Sequence, residues 1–150
     1  MALYPSADSY ESYLFAVKKL GLGYPDILEA FRRMVFNVLA HNVDDHAKNF
    51  SFVMNQKGQW SLAPAYDLTF SVDLEALPFE NYHTFSVNSK VSGITDLDML
   101  EVAEKYDLKK ADAKRTIDVV RTVMGTFPEI AERNEVPEEW IDKIDAYLKN

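Results

Sequence analysis

Between Phe31 and Met54 the chain changes its hydrophobic period, and nothing else in the sequence restricts the fold as strongly. Phe31, Met34, Val35, Val38 and Leu39 recur at helical spacing, whereas Phe50-Ser51-Phe52-Val53-Met54 reads as a strand. The switch is made across Asn42-Val43-Asp44-Asp45-His46-Ala47-Lys48-Asn49, a connector rich in ionisable and amide side chains. Buried scaffold on both sides holds such groups in fixed geometry, which suits a functional loop better than a solvated one.

The elements around this connector follow from local signals. Asp8 or Ser9 can cap a first helix with Tyr10, Tyr13, Leu14, Val17 and Leu20 inward, ending near Gly21. Pro25 and Asp26 open a second helix that carries Ile27 to Val38 into the loop. His41 is expected at its end, where a cation suits the dipole. Beyond the loop, Phe50–Met54 and Gln59–Leu62 flank Asn55-Gln56-Lys57-Gly58, which predicts a β-hairpin. Pro64 then breaks the second strand, so Ala65-Tyr66-Asp67 should leave the sheet and return towards the loop. Val72 to Val91 is irregular, with Pro78, an aromatic cluster (Phe79, Tyr82, Phe85) and His83, which reads as structural or surface.

From Thr95 onwards the pattern is helical. Thr95 caps a helix with Leu97, Leu100 and Ala103 inward; Ala111, Ile117, Val120 and Met124 mark the next. Pro128 kinks or restarts the chain, and Pro137 opens a last helix with Trp140, Ile141, Ile144 and Leu148. This tail holds no catalytic-type cluster and reads as scaffold or docking surface. The chain of 150 residues fits one domain, and 47% hydrophobic residues are enough for a core. A net charge of −8 argues against direct nucleic-acid binding. With no cysteine there are no disulfides or thiolate chemistry, which agrees with a reducing compartment. No apolar run approaches the ~20 residues of a membrane span and Met1–Pro5 is not a signal peptide, so a cytoplasmic protein is expected.

The loop itself carries an ordered set. Asp44 is followed five positions later by Asn49, and Asp67 lies eighteen positions further. Phosphoryl transfer of the protein-kinase type uses this order: a base that accepts the proton of the attacking hydroxyl, an Asn in the same loop for Mg²⁺, and a second Asp beyond a hairpin for the metal bridging the phosphates. An amide oxygen plus a carboxylate suit a hard cation and leave room for phosphate and water. Spacing alone does not decide, because 13 Asp and 8 Asn give roughly 0.7 such Asp-to-Asn pairs by chance. Asp45 stands one residue off this register and reads as a solvated or turn-stabilising charge. A second ligand set, His41, Asp44, Asp45 and His46, would suit a metal-dependent phosphohydrolase, although it lies almost wholly in one loop.

Asp44-Asp45-His46-Ala47-Lys48-Asn49-Phe50-Ser51, followed by Trp60-Ser61-Leu62-Ala63-Pro64-Ala65-Tyr66-Asp67-Leu68, resembles the C-terminal domain of HipA-like serine/threonine kinases, the toxin halves of bacterial toxin–antitoxin pairs. The resemblance runs from about Tyr10 into the final helices. It implies an α+β, mostly α-helical fold: a protein-kinase-like C-lobe with a catalytic loop and small β-hairpin, followed by a C-terminal helical bundle. It implies ATP and Mg²⁺ as cofactors, Asp44 as catalytic base, His46, Ala47, Lys48 and Asn49 along the nucleotide phosphates, Asn49 and Asp67 as metal ligands, and Tyr66 at the edge of the nucleotide site. Its partners would be a DNA-binding antitoxin and a protein substrate such as an aminoacyl-tRNA synthetase. HipA-like kinases also have an N-terminal lobe, and no trace of its motifs is present: the five glycines (Gly21, Gly23, Gly58, Gly93, Gly125) form no G-x-G-x-x-G. The expectation is a C-lobe alone, inactive without an N-lobe, or else a non-enzymatic module or half of a split kinase.

Overall fold

A computed structural model describes residues 6–76 and 81–149. Six helices and one two-stranded sheet are present among the described residues, matching the mostly helical α+β class expected. Ser9 caps α1 (Tyr10–Lys19) by accepting from the Ser12 N–H at 3.1 Å, as a short hydroxyl side chain does at a helix start. Pro25 opens α2 (Tyr24–Leu39), whose inward face is Ile27, Ala30, Phe31, Met34, Val35 and Val38. The α2 and α1 faces meet a third layer, α3 (Asp96–Lys105) and α4 (Lys110–Met124), in one core that includes Met99, Val102, Ile117 and Val120. Tyr24 ties the start of α2 to the start of α4, its hydroxyl donating to Asp112 and accepting from the Lys109 N–H at 3.1 Å. The two helices therefore run side by side in the same direction.

The hairpin forms as expected but shorter, with β1 (Phe52–Met54) pairing antiparallel to β2 (Trp60–Leu62) in the register Phe52 to Leu62. Its turn needs Gly58, at φ 77°, a region that costs any residue with a Cβ. Phe50 leaves the strand to pack its ring 4.5 Å from Tyr13 and 5.4 Å from Phe85. That aromatic cluster fixes the far end of the loop to α1.

Thr95 caps α3 in a full capping box with Asp98. Leu97 does not face inward as the spacing suggested: it is 65% exposed, and Met99 fills the core instead. The buried face of α3 is Asp98, Met99, Val102 and Ala103, and Leu97 points to the opposite side of the turn. For the same reason Ala113 is buried in α4 while Ala111 is exposed. The chain restarts at Pro128, the second residue of α5 (Phe127–Arg133), and α6 (Glu138–Leu148) buries Ile141 but leaves Trp140 half-exposed. No helix among the described residues is long and apolar enough to cross a membrane. Pro78 and Phe79 lie outside the described residues.

Candidate functional site

The loop leaves α2 through a left-handed residue. The Ala40 N–H bonds back to Phe36, and His41 sits at φ 50°. Burial, and secondarily the neighbouring His83, push the His41 imidazole below its ordinary pKa, so it is held neutral and is not the dipole-stabilising cation the sequence suggested. Its carbonyl accepts from the Ser71 N–H at 3.3 Å, and its ring meets Tyr147 of α6 edge to face.

Asn42 is buried and joins two parts of the chain. Its amide donates to Asn37 Oδ1 at 3.0 Å and to the Asp67 carbonyl at 2.9 Å, while its own oxygen accepts from Ser71 Oγ at 3.2 Å. Ser71 Oγ also accepts from the Asp44 N–H at 3.2 Å. The segment beyond Pro64 is held a second time by Tyr66, whose hydroxyl donates to the Lys48 carbonyl at 2.6 Å and lies 2.6 Å from Ser51 Oγ. The expected return of Ala65-Tyr66-Asp67 towards the loop is therefore observed. Asp67 itself is at φ 55° and exposed, a left-handed turn that Asp tolerates better than most residues.

The loop ends in a single 3₁₀ turn, Ala47–Asn49. Asn49 Nδ2 donates to the Asp44 carbonyl at 3.0 Å, which closes the loop on itself and leaves Asn49 Oδ1 as the unclaimed end of the amide. The Asp44 carboxylate is 66% exposed and lies 3.8 Å from His46 Nε2. His46 Nδ1 is buried without a hydrogen-bond partner among the described residues, so the backbone bond that would make it purely structural is not formed. Lys48 is exposed. Asp44, His46, Ala47, Lys48, Asn49, Tyr66 and Asp67 thus belong to one loop and the segment fastened to it. No group of three or more His, Cys, Asp or Glu side chains among the described residues could hold an ion unaided. A cation at Asn49 and Asp67 would therefore complete its shell with phosphate and water oxygens, which is how Mg²⁺ usually binds.

Asp45 overturns the expectation of a solvated or turn-stabilising charge. It is 0% exposed, and both oxygens are used. Oδ2 accepts from Tyr10 Oη at 2.6 Å and faces His83 Nδ1 at 2.8 Å; Oδ1 accepts from the Thr84 and Phe85 N–H groups at 2.9 and 3.1 Å. Burial, reinforced by the Asp45 charge, raises the Tyr10 phenol well above its usual pKa and keeps it a donor. Tyr10 in turn accepts from Asn37 Nδ2 at 3.0 Å. A continuous buried network thus runs from His83 through Asp45, Tyr10, Asn37 and Asn42 to the Asp67 carbonyl. It also removes Asp45 from the phosphohydrolase ligand set, since a carboxylate satisfied by four donors has nothing left for an ion. His83 is structural, buried against Asp45. The signal that could have found this network is Tyr10 and Asn37, polar groups on otherwise apolar helix faces.

A two-layered site of this kind, a polar loop closed on itself with a hairpin and a returning segment behind it, defines a mostly helical C-lobe type of domain. The fold is similar to that of the solved HipA of Shewanella oneidensis MR-1, in its complex with HipB and operator DNA: the TM-score is 0.71 at 21% identity, over 94% of this chain and 33% of that one. Residues 1–127 match the HipA-like C-terminal domain, and the chain belongs to that family. A curated relative, "Putative kinase Y4dM" of Sinorhizobium fredii (strain NBRC 101917 / NGR234), is 31% identical over an alignment of 119 residues that covers 75% of this chain. The chain spans 27% of that relative's length.

Proposed function

We propose that the chain is the catalytic C-lobe of a serine/threonine protein kinase acting with Mg-ATP. The observation that carries this reading is the double fastening of the Asp67 segment to the Asn42–Asn49 connector, through Tyr66 to Lys48 and through Asn42 to the Asp67 backbone. Kinase chemistry needs base and metal-holding residues on one frame, because phosphoryl transfer rests on positioning and charge stabilisation.

In this reading a protein hydroxyl attacks the ATP γ-phosphorus and its proton passes to the Asp44 carboxylate. The new bond joins that oxygen to phosphorus, the bond to the β,γ-bridging oxygen breaks, and ADP departs. Asn49 Oδ1 and the Asp67 carboxylate would hold Mg²⁺, which would supply charge neutralisation at the phosphates. His46, Ala47, Lys48 and Asn49 face the phosphate chain, where Lys48 offers a point charge and His46 a donor, and Tyr66 borders the nucleotide. An ATP-dependent enzyme of this type works in the cytoplasm.

The rest of the assembly is proposed on the same footing. The HipA and Y4dM chains are about three to four times the length this chain covers of them, so a phosphate-gripping N-lobe has to come from another segment or a separate polypeptide. The complex of Shewanella HipA with HipB and operator DNA supports a DNA-binding antitoxin as partner, and the family supports a protein substrate such as an aminoacyl-tRNA synthetase. Mn²⁺ is a paramagnetic stand-in that tests the site directly. With ATP present, it should broaden the NMR signals of the Asn49 side-chain amide and of the backbone at 66–68 before any others. Broadening confined to the acidic surface of α3 to α6 would refute the site.

A further inference from the structure

A groove of about 250 Å³ runs along the seam between α2 and α4. Its floor is almost wholly apolar, and Leu68, Val119 and Val123 lie 45%, 52% and 52% exposed beside it. Three large aliphatic side chains left half in water on one strip mark an interaction surface better than scattered exposure would. The seam is parallel, so the strip has a direction: Val119 and Val123 are one turn apart on α4, and Ala65 and Leu68 line the same groove.

The rim is basic in a protein of net charge −8. Glu29 takes Arg32 at 2.7 Å and Arg33 at 3.1 Å, so one carboxylate is shared by two guanidinium groups and one positive charge stays uncompensated. Arg115, one turn before Val119 on α4 and just outside the residues that line the groove, is exposed and has no ion-pair partner among the described residues. An apolar floor between uncompensated arginines fits leucine-type side chains at helical spacing flanked by carboxylates. We propose that the α2–α4 groove docks an acidic amphipathic helix of a partner protein. Because Ala65 and Leu68 bracket Tyr66 and Asp67, an occupant also presses on the segment that holds the metal site; this coupling alone rests on the kinase reading, and docking does not.

The test uses two fluorescein-labelled helical peptides with leucines at i, i+3, i+4 and i+7, one with glutamates on its flanks and one with lysines, measured by anisotropy without nucleotide. The acidic peptide should bind saturably and more weakly as salt is raised. Val123→Glu, at a half-exposed position that tolerates a polar side chain, should weaken it by about tenfold or more, and Arg115→Glu by about threefold. Met54→Glu on the exposed hairpin should change nothing. Non-specific attraction to a protein of this charge favours the lysine peptide, so equal or tighter binding of that peptide would overturn the proposal. So would an unaffected Val123→Glu protein, or self-association abolished by Val123→Glu, which would make a second copy the occupant. Failure of the peptide test leaves the kinase reading standing, and absence of nucleotide chemistry leaves docking standing.

Discussion

Replacing Asp45 by alanine should nearly unfold the protein, whereas the same change at its neighbour Asp44 should hardly be felt. Asp45 accepts from Tyr10 Oη, the Thr84 and Phe85 amides, and binds His83 Nδ1, all between 2.6 and 3.1 Å. Alanine strands the buried donors of Tyr10, His83 and Phe85, while Thr84 is exposed enough to find water. At about 1.5 kcal/mol for each stranded donor the loss is about 4 to 5 kcal/mol, a large share of a normal domain's stability. Asp45→Asn keeps an oxygen for the two amides and puts an NH₂ towards Tyr10 and His83, so about half of that loss is expected. Asp44 is exposed, and its removal should stay within about 0.5 kcal/mol. Urea unfolding followed by circular dichroism reads this directly. With a slope of about 2 kcal/mol/M the Asp45→Ala midpoint should fall by about 2 M. A midpoint within about 0.5 M of wild type on the same slope, or an equal fall for Asp44→Ala, would refute the role of Asp45 as acceptor for the buried network.

Three further outcomes follow from the same geometry. The His41 pKa is lowered in the folded state by burial and by His83, so the unfolded chain binds more protons near its ordinary value of about 6.5; stability should fall as pH drops through that range, and His41→Gln should flatten the dependence of Tm between about pH 7.5 and 5.5. Asp98 is the reverse case: burial alone would raise its carboxyl, but Lys90 and Thr95 hold it well below the usual range, so its contribution is full above about pH 4 and is lost on further acidification. Asp98→Ala should cost about 2 kcal/mol at pH 7 by chemical unfolding. Tyr66→Phe should cost about 1 kcal/mol and should speed amide exchange in residues 65–69, since it frees the Lys48 carbonyl and Ser51.

What could be read from the sequence divides along a physical line. The loop, the hairpin and the return after Pro64 were legible because each is written locally, in a change of hydrophobic period, a glycine turn and a proline break. The helix starts at Ser9, Pro25 and Thr95 were legible for the same reason. Leu97 and Ala111 were misplaced because a helical pattern fixes the spacing of an inward face but not its phase, and neighbouring apolar residues Met99 and Ala113 competed for it. Asp45 was misjudged because its donors lie 35 to 40 positions away at Tyr10, His83, Thr84 and Phe85. Adjacent aspartates differ here only in which way the backbone turns them, and that direction is set by tertiary contacts.

The central claim is that Asp44 acts on the acceptor hydroxyl while Asn49 and Asp67 hold the metal and its nucleotide. Its most direct measurement is phosphate transfer, paired with Mg-dependent nucleotide binding, in an assembly of this chain with a kinase N-lobe. Asp44→Asn should abolish transfer with nucleotide affinity nearly unchanged, because the base hardly touches the bound ground state. Asp67→Asn should instead remove the Mg²⁺-dependent part of binding. Equal loss of binding in both variants, or robust Asp44-dependent phosphorylation by the 150-residue chain alone, would contradict the account.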